Sequence, residues 1–489
     1  MTFPANFIII IDNNILRQCT FPFGMPKKMK GIAMKKITDF RIVISQHATM
    51  NEKRAAAFLS HYIKLVCGKK PLTVTDDAPA VPAEIIVGET LREREDGVTF
   101  ERDVSRLWEY EIRRIRDHVY LCGLGRPAEP KPYTSAYRLI DDGAYGTVFA
   151  AYHFVEEILG YDFIYEVYDS YPENPDLLMP GAPDFSYTKE ALRAELPELT
   201  DGAALYSVPS SEVLNWNMCC FIIRTKGGKL IVIDGGHEVD ADHVVRCLEA
   251  LSPGKIPCVS AWLFSHLHED HYGVYKKICE VPALASRIRV ENFYHHLLPE
   301  EFYTRLSKEA NPDFKLPREI LLASGKTLGA VLHEVNPGDR ITVDEATFEV
   351  LHVPKMEDAA EMNMNDSSVI YRMDYDGKQS MLFLADAEWV CSNDLLERFS
   401  DRLKSDVVQV GHHGCGNVSK ACYEKIGADV YLWQIGNRFW YGDNGEGLNT
   451  HNTGVIRTRC YIRELGARLP NIYRDTNGLL TLPLPIPVR

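Results

Sequence analysis

Nowhere in this 489-residue chain does an apolar run approach the roughly 18 uninterrupted residues that a membrane-spanning helix needs, so no membrane span is expected. Basic charge is also short, with 54 lysines and arginines against 68 acidic residues and a formal balance of -14. A field of that sign repels polyanions unless a local basic groove or a bound cation overrides it, which makes nucleic acid a poor candidate partner. The twelve cysteines show neither CxxC nor zinc-ribbon spacing. Several sit in apolar runs such as "YIKLVCG" and "MCCFII", the setting of reduced, buried thiols, and they point to a cytoplasmic protein. No internal repeat at solenoid periods is present. The leading segment "NFIIIIDNNIL" lacks a basic flank before it and a small-residue cleavage site after it, which argues against a secretory signal. Residues 1–36 read as a tail.

The length exceeds what one hydrophobic core organises and implies two or three domains. From residue 37 to 170 the pattern is a small α/β unit. It runs strand "FRIVIS", helix "NEKRAAAFLSHYIKLVCG", strands "LTVTD", "AEIIVGE" and "HVYLCG", and helix "YGTVFAAYHFVEEILG". Asn51 is the expected cap of the first helix and Gly68 its stop. Residues 171–203, opening with "YPENPDLLMPGAPDF", read as a linker. Beyond 204 strands follow in quick succession, among them "CCFIIRT", "KLIVIDGG", "CVSAWLFS", "SMLFLADA" and "DVVQVGHH", with helices between some of them. That texture implies two sheets covered on their outer faces by helices.

The chemistry concentrates in "FSHLHEDHYG", residues 264–273, directly after an apolar strand. Alternation puts His266 and His268 on one side of an extended stretch, while Asp270 and His271 can turn toward a second point, so one loop can serve two cations. Imidazole and carboxylate suit zinc, and also manganese or iron. Four further polar clusters each follow a buried strand. They are Asp234 after "LIVI", Asp386 after "MLFLA", the doublet His412–His413 after "VVQVG", and His451 in "NTHNTG". A sheet gathers distant ligands along one edge in this way.

Together the HxHxDH stretch, the upstream "DGG", the strand-end Asp and the final strand-end His resemble the metallo-β-lactamase fold hydrolases. Within them, "NDSSVIYRMDYDGKQSMLFLADAE", "VVQVGHHG" and "IYRDTNGLLTL" are most similar to the metallo domain of bacterial competence (DNA-uptake) channel proteins and to the phosphorylcholine esterases of teichoic acid. The resemblance implies a four-layer αββα sandwich over residues 204–489. It implies His266 and His268 on a first metal, Asp270, His271 and His412 on a second, and Asp386 bridging both. Asp234 would support the ligand loop from behind. Which histidine of the doublet reaches the metal stays open; His412 is favoured, which leaves His413 to contact substrate or act as an acid beside Asp270. The third ligand of the first metal, commonly a histidine after a "PGH"-like turn, is absent from "LHVPKMEDAAEMNMNDSS". His295, His296, Asn365 and Asp366 are the candidates to replace it, and one cation is a live alternative to two. His451 resembles a histidine at the site mouth of the competence-type domains.

The first unit resembles the small domain that precedes the catalytic barrel in β-hexosaminidases and α-glucuronidases, by "GKKPLTVTD", "EIIVGET" and "DDGAYGTVFAAYHFVEEILGYDF". That likeness implies a saccharide-linked substrate. The expected reaction is hydrolysis of a phosphoester or phosphodiester, because a divalent cation lowers the pKa of a water it holds from about 15.7 toward roughly 7. The competing readings are a nuclease, an acyl hydrolase of lactonase, thioesterase or β-lactamase type, and a noncatalytic metal-stabilised sugar-binding protein.

Overall fold

The computed structural model describes residues 7–9, 17–19, 36–106, 109–126, 145–159, 161, 185–189, 196–210, 217–306, 314–416, 418–442 and 453–489. The chain divides into two compact units, one of residues 1–162, 171–191 and 445–447, the other of 163–170, 192–444 and 448–489.

In the first unit the strands Thr73–Thr75, Arg41–Ile44, Glu84–Val87 and His118–Gly123 lie parallel in that order, and Tyr110–Ile115 and Phe185–Lys189 extend the sheet antiparallel. Phe185–Lys189 falls inside the stretch read as a linker. Inside the stretch read as a tail, Phe7–Ile9 pairs antiparallel with Arg17–Cys19. The helix Met50–Cys67 ends on Gly68 in the left-handed region, as expected, but its cap is Thr49 rather than Asn51. The Thr49 hydroxyl accepts from Glu52 N and the Glu52 carboxylate accepts from Thr49 N at 2.7 Å, a reciprocal pair that only this register allows. The second helix, Gly146–His153, passes into a π turn at Phe154–Ile158. Buried charge in this unit is paired. Glu84 takes Arg92 Nε at 2.6 Å and Arg41 Nε at 2.9 Å, and Arg92 Nη1 also reaches Glu95 at 2.8 Å.

The second unit is built on two sheets. Among the described residues one runs Val331–Glu334, Asn292–His295, Cys258–Leu263, Leu230–Asp234, Cys220–Arg224, Ala204–Ser207, Leu480–Pro483, with Arg289–Val290 also paired to Cys258–Leu263. The other runs Arg340–Val343, Ala346–His352, Ile370–Tyr375, Gln379–Phe383, Val407–Gln409, Val430–Trp433, Ile472–Arg474. Side-chain alternation explains the layering. Ile231, Ile233, Phe221 and Leu263 of the first sheet meet Phe348, Tyr371, Met373 and Phe383 of the second in one core. Their neighbours Val232, Ile222 and Trp262 turn the other way, onto Val244, Leu248, Val274 and Ile278 of the helices Ala241–Ala250 and Glu269–Glu280. The helix Trp389–Phe399 packs on Ala346–His352 and continues to Lys420–Ile426 and Thr453–Glu464. The result is helix, sheet, sheet, helix.

The central strands of both sheets are parallel, so their carboxyl ends lie along one rim, where ligands bind in open α/β sheets. Backbone strain marks that rim. Four of the seven described non-glycine residues with positive φ are Asp234, Ala385, His412 and His413. Such residues persist only where the surroundings hold them.

Candidate metal centre

Each element of the rim is fastened from behind. Asp234 ends its strand at φ 56, and its carbonyl accepts from the buried Trp262 indole at 2.7 Å. Its carboxylate accepts from Ser265 N at 2.9 Å, Ser265 Oγ at 2.8 Å and His271 Nδ1 at 2.8 Å. His268 is the residue before the helix Glu269–Glu280, so Asp270 and His271 occupy its first turn, where the helix dipole favours a carboxylate. That helix lies close on the "DGG" turn because residue 273 is glycine, since a Cβ there would meet Glu238 N at 2.5 Å. At the opposite strand end the Trp433 indole donates to His413 O at 2.6 Å, and His412 N donates to Ala385 O at 2.9 Å.

Four imidazoles then turn toward one carboxylate. His271 Nε2 lies 3.1 Å and His413 Nε2 3.6 Å from Asp386 Oδ1. His412 Nε2 lies 3.8 Å and His266 Nε2 3.9 Å from Asp386 Oδ2. Three of these rings have Nδ1 against an acceptor: His271 on Asp234, His413 on Gln434 O at 2.8 Å, and His412 on Glu388 Oε1 at 2.9 Å. Nδ1 therefore carries the proton, and Nε2 offers a lone pair to the centre. His266 Nδ1 lies 3.0 Å from Ser265 Oγ and 3.3 Å from Ser368 Oγ, and its Nε2 is 3.1 Å from His268 Nδ1.

A lone pair aimed at a carboxylate oxygen repels it, so the centre calls for positive charge between them, which either a proton or a cation supplies. His271 Nε2, His413 Nε2 and Asp386 Oδ1 are buried and make no hydrogen bond, which is costly for polar atoms out of water. A divalent cation satisfies all three. Asp270, His271, Asp386 and His413 present ligand atoms within 4.8 Å of one another, and so do His266, His268 and Asp386. A third group, Cys219, Asp234 and His271, meets the same distance, but His271 Nδ1 is already given to Asp234 and burial pushes the Cys219 thiol far up.

The charge state fits the same picture. Burial alone would depress His271, but Asp386, Asp234 and Asp270 hold it well above the ordinary imidazole range. His266, desolvated and facing His271 and His268, is held well below it. Burial raises Asp270 and Asp386, and the surrounding histidines overcome that and hold both far below the usual carboxylate range. Glu388 is likewise brought to about 2, against burial, by its bond to His412 and by the amides of Asn363 and Asn365.

Six expected residues thus converge: His266, His268, Asp270, His271, Asp386 and the doublet's His413. Of the doublet, whose metal-facing member the sequence leaves open with His412 favoured, His413 lies with Asp270, His271 and Asp386 within 4.8 Å. In consecutive left-handed residues the two rings diverge, with centroids 6.2 Å apart, and each strikes a different oxygen of Asp386. His413 is anchored by Gln434 O behind Nδ1 and has Asp270 Oδ2 3.2 Å from Nε2. His295, His296 and Asp366 are engaged by neighbours, and Asn365 through its amide nitrogen alone. His295 Nδ1 accepts from Leu297 N at 3.2 Å, and His296 Nδ1 donates to Val335 O at 2.8 Å. Asp366 accepts from Glu388 N and Cys391 N at the start of the helix Trp389–Phe399. Asn365 gives its amide to Glu388 Oε1 at 3.1 Å, while its buried Oδ1 makes no hydrogen bond. His451 lies outside the described residues. Sequence reasoning missed Glu388, Ser265, Ser368, Gln434 and the two tryptophans. Only Glu388 left a trace, as the acid that closes "MLFLADAE".

Fold and site together define an α/β sandwich with metal-capable side chains at the carboxyl ends of its parallel strands. Residues 219–359 match the family model described as the metallo-beta-lactamase superfamily, so that stretch is a domain of this superfamily. No curated protein sequence matches the chain. Among solved structures, the metallo-beta-lactamase fold protein YhfI from Bacillus subtilis is 14% identical, with 57% of this chain and 99% of that one covered at a TM-score of 0.34. CmlA, a diiron β-hydroxylase from Streptomyces venezuelae, is 13% identical over 59% of this chain and 55% of its own, TM-score 0.33. BJP-1, a subclass B3 metallo-beta-lactamase of Bradyrhizobium japonicum, is 16% identical over 44% and 77%, TM-score 0.28. These superpositions are loose, and the assignment stands on the family model.

Proposed function

We propose that the second unit is a metal-dependent hydrolase of phosphoesters, with phosphodiesters, including glycan-linked ones, as its preferred class. The observation that carries this reading is the convergence of four imidazole Nε2 atoms on Asp386, with three of the rings anchored through Nδ1. Asp270, His271 and His413 with Asp386 would hold one cation, and His266 and His268 with Asp386 another; zinc fits this donor set, and manganese or iron fit it as well. When bound, the cation supplies Lewis acidity toward the ester oxygen and lowers the pKa of water toward roughly 7. Asp386 stands between the two ligand groups and fixes their spacing. Asp270, whose side chain keeps some exposure, accepts a hydrogen bond from the attacking water and orients it. Asp234 and Gln434 O hold His271 and His413 in the tautomer that the site needs.

The phosphoester class is supported by the likeness of residues 365–388 and 407–414 to competence-type domains and phosphorylcholine esterases, and the glycan link by the likeness of the first unit. A formal charge of -14 supports a small ester over a nucleic acid. None of the eleven described cysteines forms a disulfide, which supports a cytoplasmic location, and no described helix is long and apolar enough to cross a membrane. The test is release of p-nitrophenol from a phosphodiester, a phosphomonoester and an acyl ester by metal-loaded protein, with Asp270→Ala as control. Phosphodiester turnover lost in Asp270→Ala is the expected result. Turnover of the acyl ester alone makes the protein an acyl hydrolase, and no turnover at all by metal-loaded protein makes it a binding protein.

A further inference from the structure

Asp386 has two oxygens, and the structure treats them alike. Oδ1 faces His271 and His413 at 3.1 and 3.6 Å, and Oδ2 faces His266 and His412 at 3.9 and 3.8 Å. Each oxygen thus receives one ring from the 266–271 loop and one from the 412–413 doublet. His266 and Asp386 have His268 beside them and, among the described residues, no other such ligand gathered within 4.8 Å. We infer that His412, held by Glu388, completes this second cation position with His266, His268 and Asp386 Oδ2. The inference rests on the proposed reading of the site as a metal centre.

The surroundings of His412 are built for that role. The Glu388 carboxylate stands 2.9 Å behind Nδ1 of the ring, while Nε2 faces Asp386 Oδ2 at 3.8 Å. A carboxylate behind an imidazole raises its basicity and fixes its tautomer, the usual support of a ligating histidine. Glu388 is itself held by two amides, Asn363 Nδ2 at 3.2 Å and Asn365 Nδ2 at 3.1 Å. Residue 416 must be glycine for the ring to stand here, because a Cβ would lie 2.7 Å from His412 Nδ1. The backbone at φ 46 aims the ring away from that of His413. Of the four rings His412 alone keeps an exposed flank, its side chain 23% exposed against 0 to 2% for the others. Sequence 363–365 therefore supplies amides that position a ligand rather than a ligand of its own.

The experiment counts metal on the full chain. Wild type, His412→Asn, Glu388→Gln, Asn365→Ala and His413→Ala are stripped with chelator, dialysed against buffered free Zn2+, and assayed for zinc per chain across a titration. Asn tolerates the left-handed backbone at 412, and Gln keeps the volume at 388, so both chains fold. Wild type is expected to bind two equivalents. His412→Asn should weaken one of them by at least about 100-fold, and Glu388→Gln should weaken the same one by about 10-to-100-fold, each sparing the other. His413→Ala should weaken the opposite equivalent. A single equivalent in wild type, or unchanged affinities in His412→Asn, overturns the inference. Loss of the second equivalent in Asn365→Ala but not in His412→Asn also overturns it, by placing the ligand on the 363–367 turn. Wild type that binds no zinc overturns the hydrolase reading itself, a separate outcome.

Discussion

The two units bury ionisable groups in opposite ways. In the first, Glu84 and Arg92 are almost fully enclosed, and each is answered: the carboxylate by two guanidinium groups, and Arg92 further by Glu95 and the carbonyls of Asp76 and Ala78. No buried imidazole, carboxylate or guanidinium atom of that unit lacks a hydrogen-bond partner among the described residues. In the second, His271 Nε2, His413 Nε2 and Asp386 Oδ1 are equally buried and unanswered. Buried charge closed by its opposite is architecture, and buried charge left open toward one point is a site for something the chain does not itself supply.

Variants at the two centres should fail differently. The largest effect is expected from Asp386→Asn, which removes the carboxylate shared by both ligand groups: bound metal and turnover should vanish, and the urea midpoint of metal-stripped protein should fall, because the histidines that hold this carboxylate ionised lose their partner. Next, Glu84→Ala leaves the buried Arg92 with Glu95 as its remaining carboxylate partner and should cost about 3 kcal/mol in urea unfolding, with zinc content at low temperature unchanged. Third comes acid. Burial lowers His243 and His295 from 6.5 to about 4. Between these values the unfolded chain binds more protons than the folded one, so stability is full above 6.5, falls as the pH drops through that window, and levels off near 4. The loss is on the order of 3 kcal/mol for each histidine and about 7 kcal/mol for the two together, read from urea midpoints of metal-stripped protein, and His295→Gln should flatten part of the slope. The smallest effect belongs to Asp234→Asn, which keeps one acceptor behind His271 and should weaken zinc binding by about 10-to-100-fold in a chelator competition, leaving the fold intact. Unchanged zinc affinity there would mean that Asp234 serves only the turn.

What the sequence made legible follows the range of the interaction that decides it. "LIVID", "CVSAWL" and "MLF" announce buried strands by local composition, and a polar residue after each announces the rim, so the sandwich and five of the six converging positions are readable. The doublet is not. Whether His412 or His413 reaches Oδ1 depends on two left-handed backbone conformations held by Trp433 and by Ala385 O, contacts that span 20 and 27 positions along the chain. Glu388 is hidden for the same reason, since its meaning comes from His412, Asn363 and Asn365 meeting it in space. The cap at Thr49 was missed on simpler grounds. Both Thr49 and Asn51 are capping residue types, and only the Glu52 carboxylate returning to Thr49 N selects between them. The strand Phe185–Lys189 is masked in sequence by the prolines on its amino-terminal side.

The most direct test is the metal content of purified wild type beside Asp386→Asn, by mass spectrometry of the elements after dialysis against buffered divalent cations. One or two equivalents in wild type and none in the variant are the predicted values. Equal metal in both, or a wild type that stays empty, contradicts the account, because the four rings would then surround that carboxylate for some other reason.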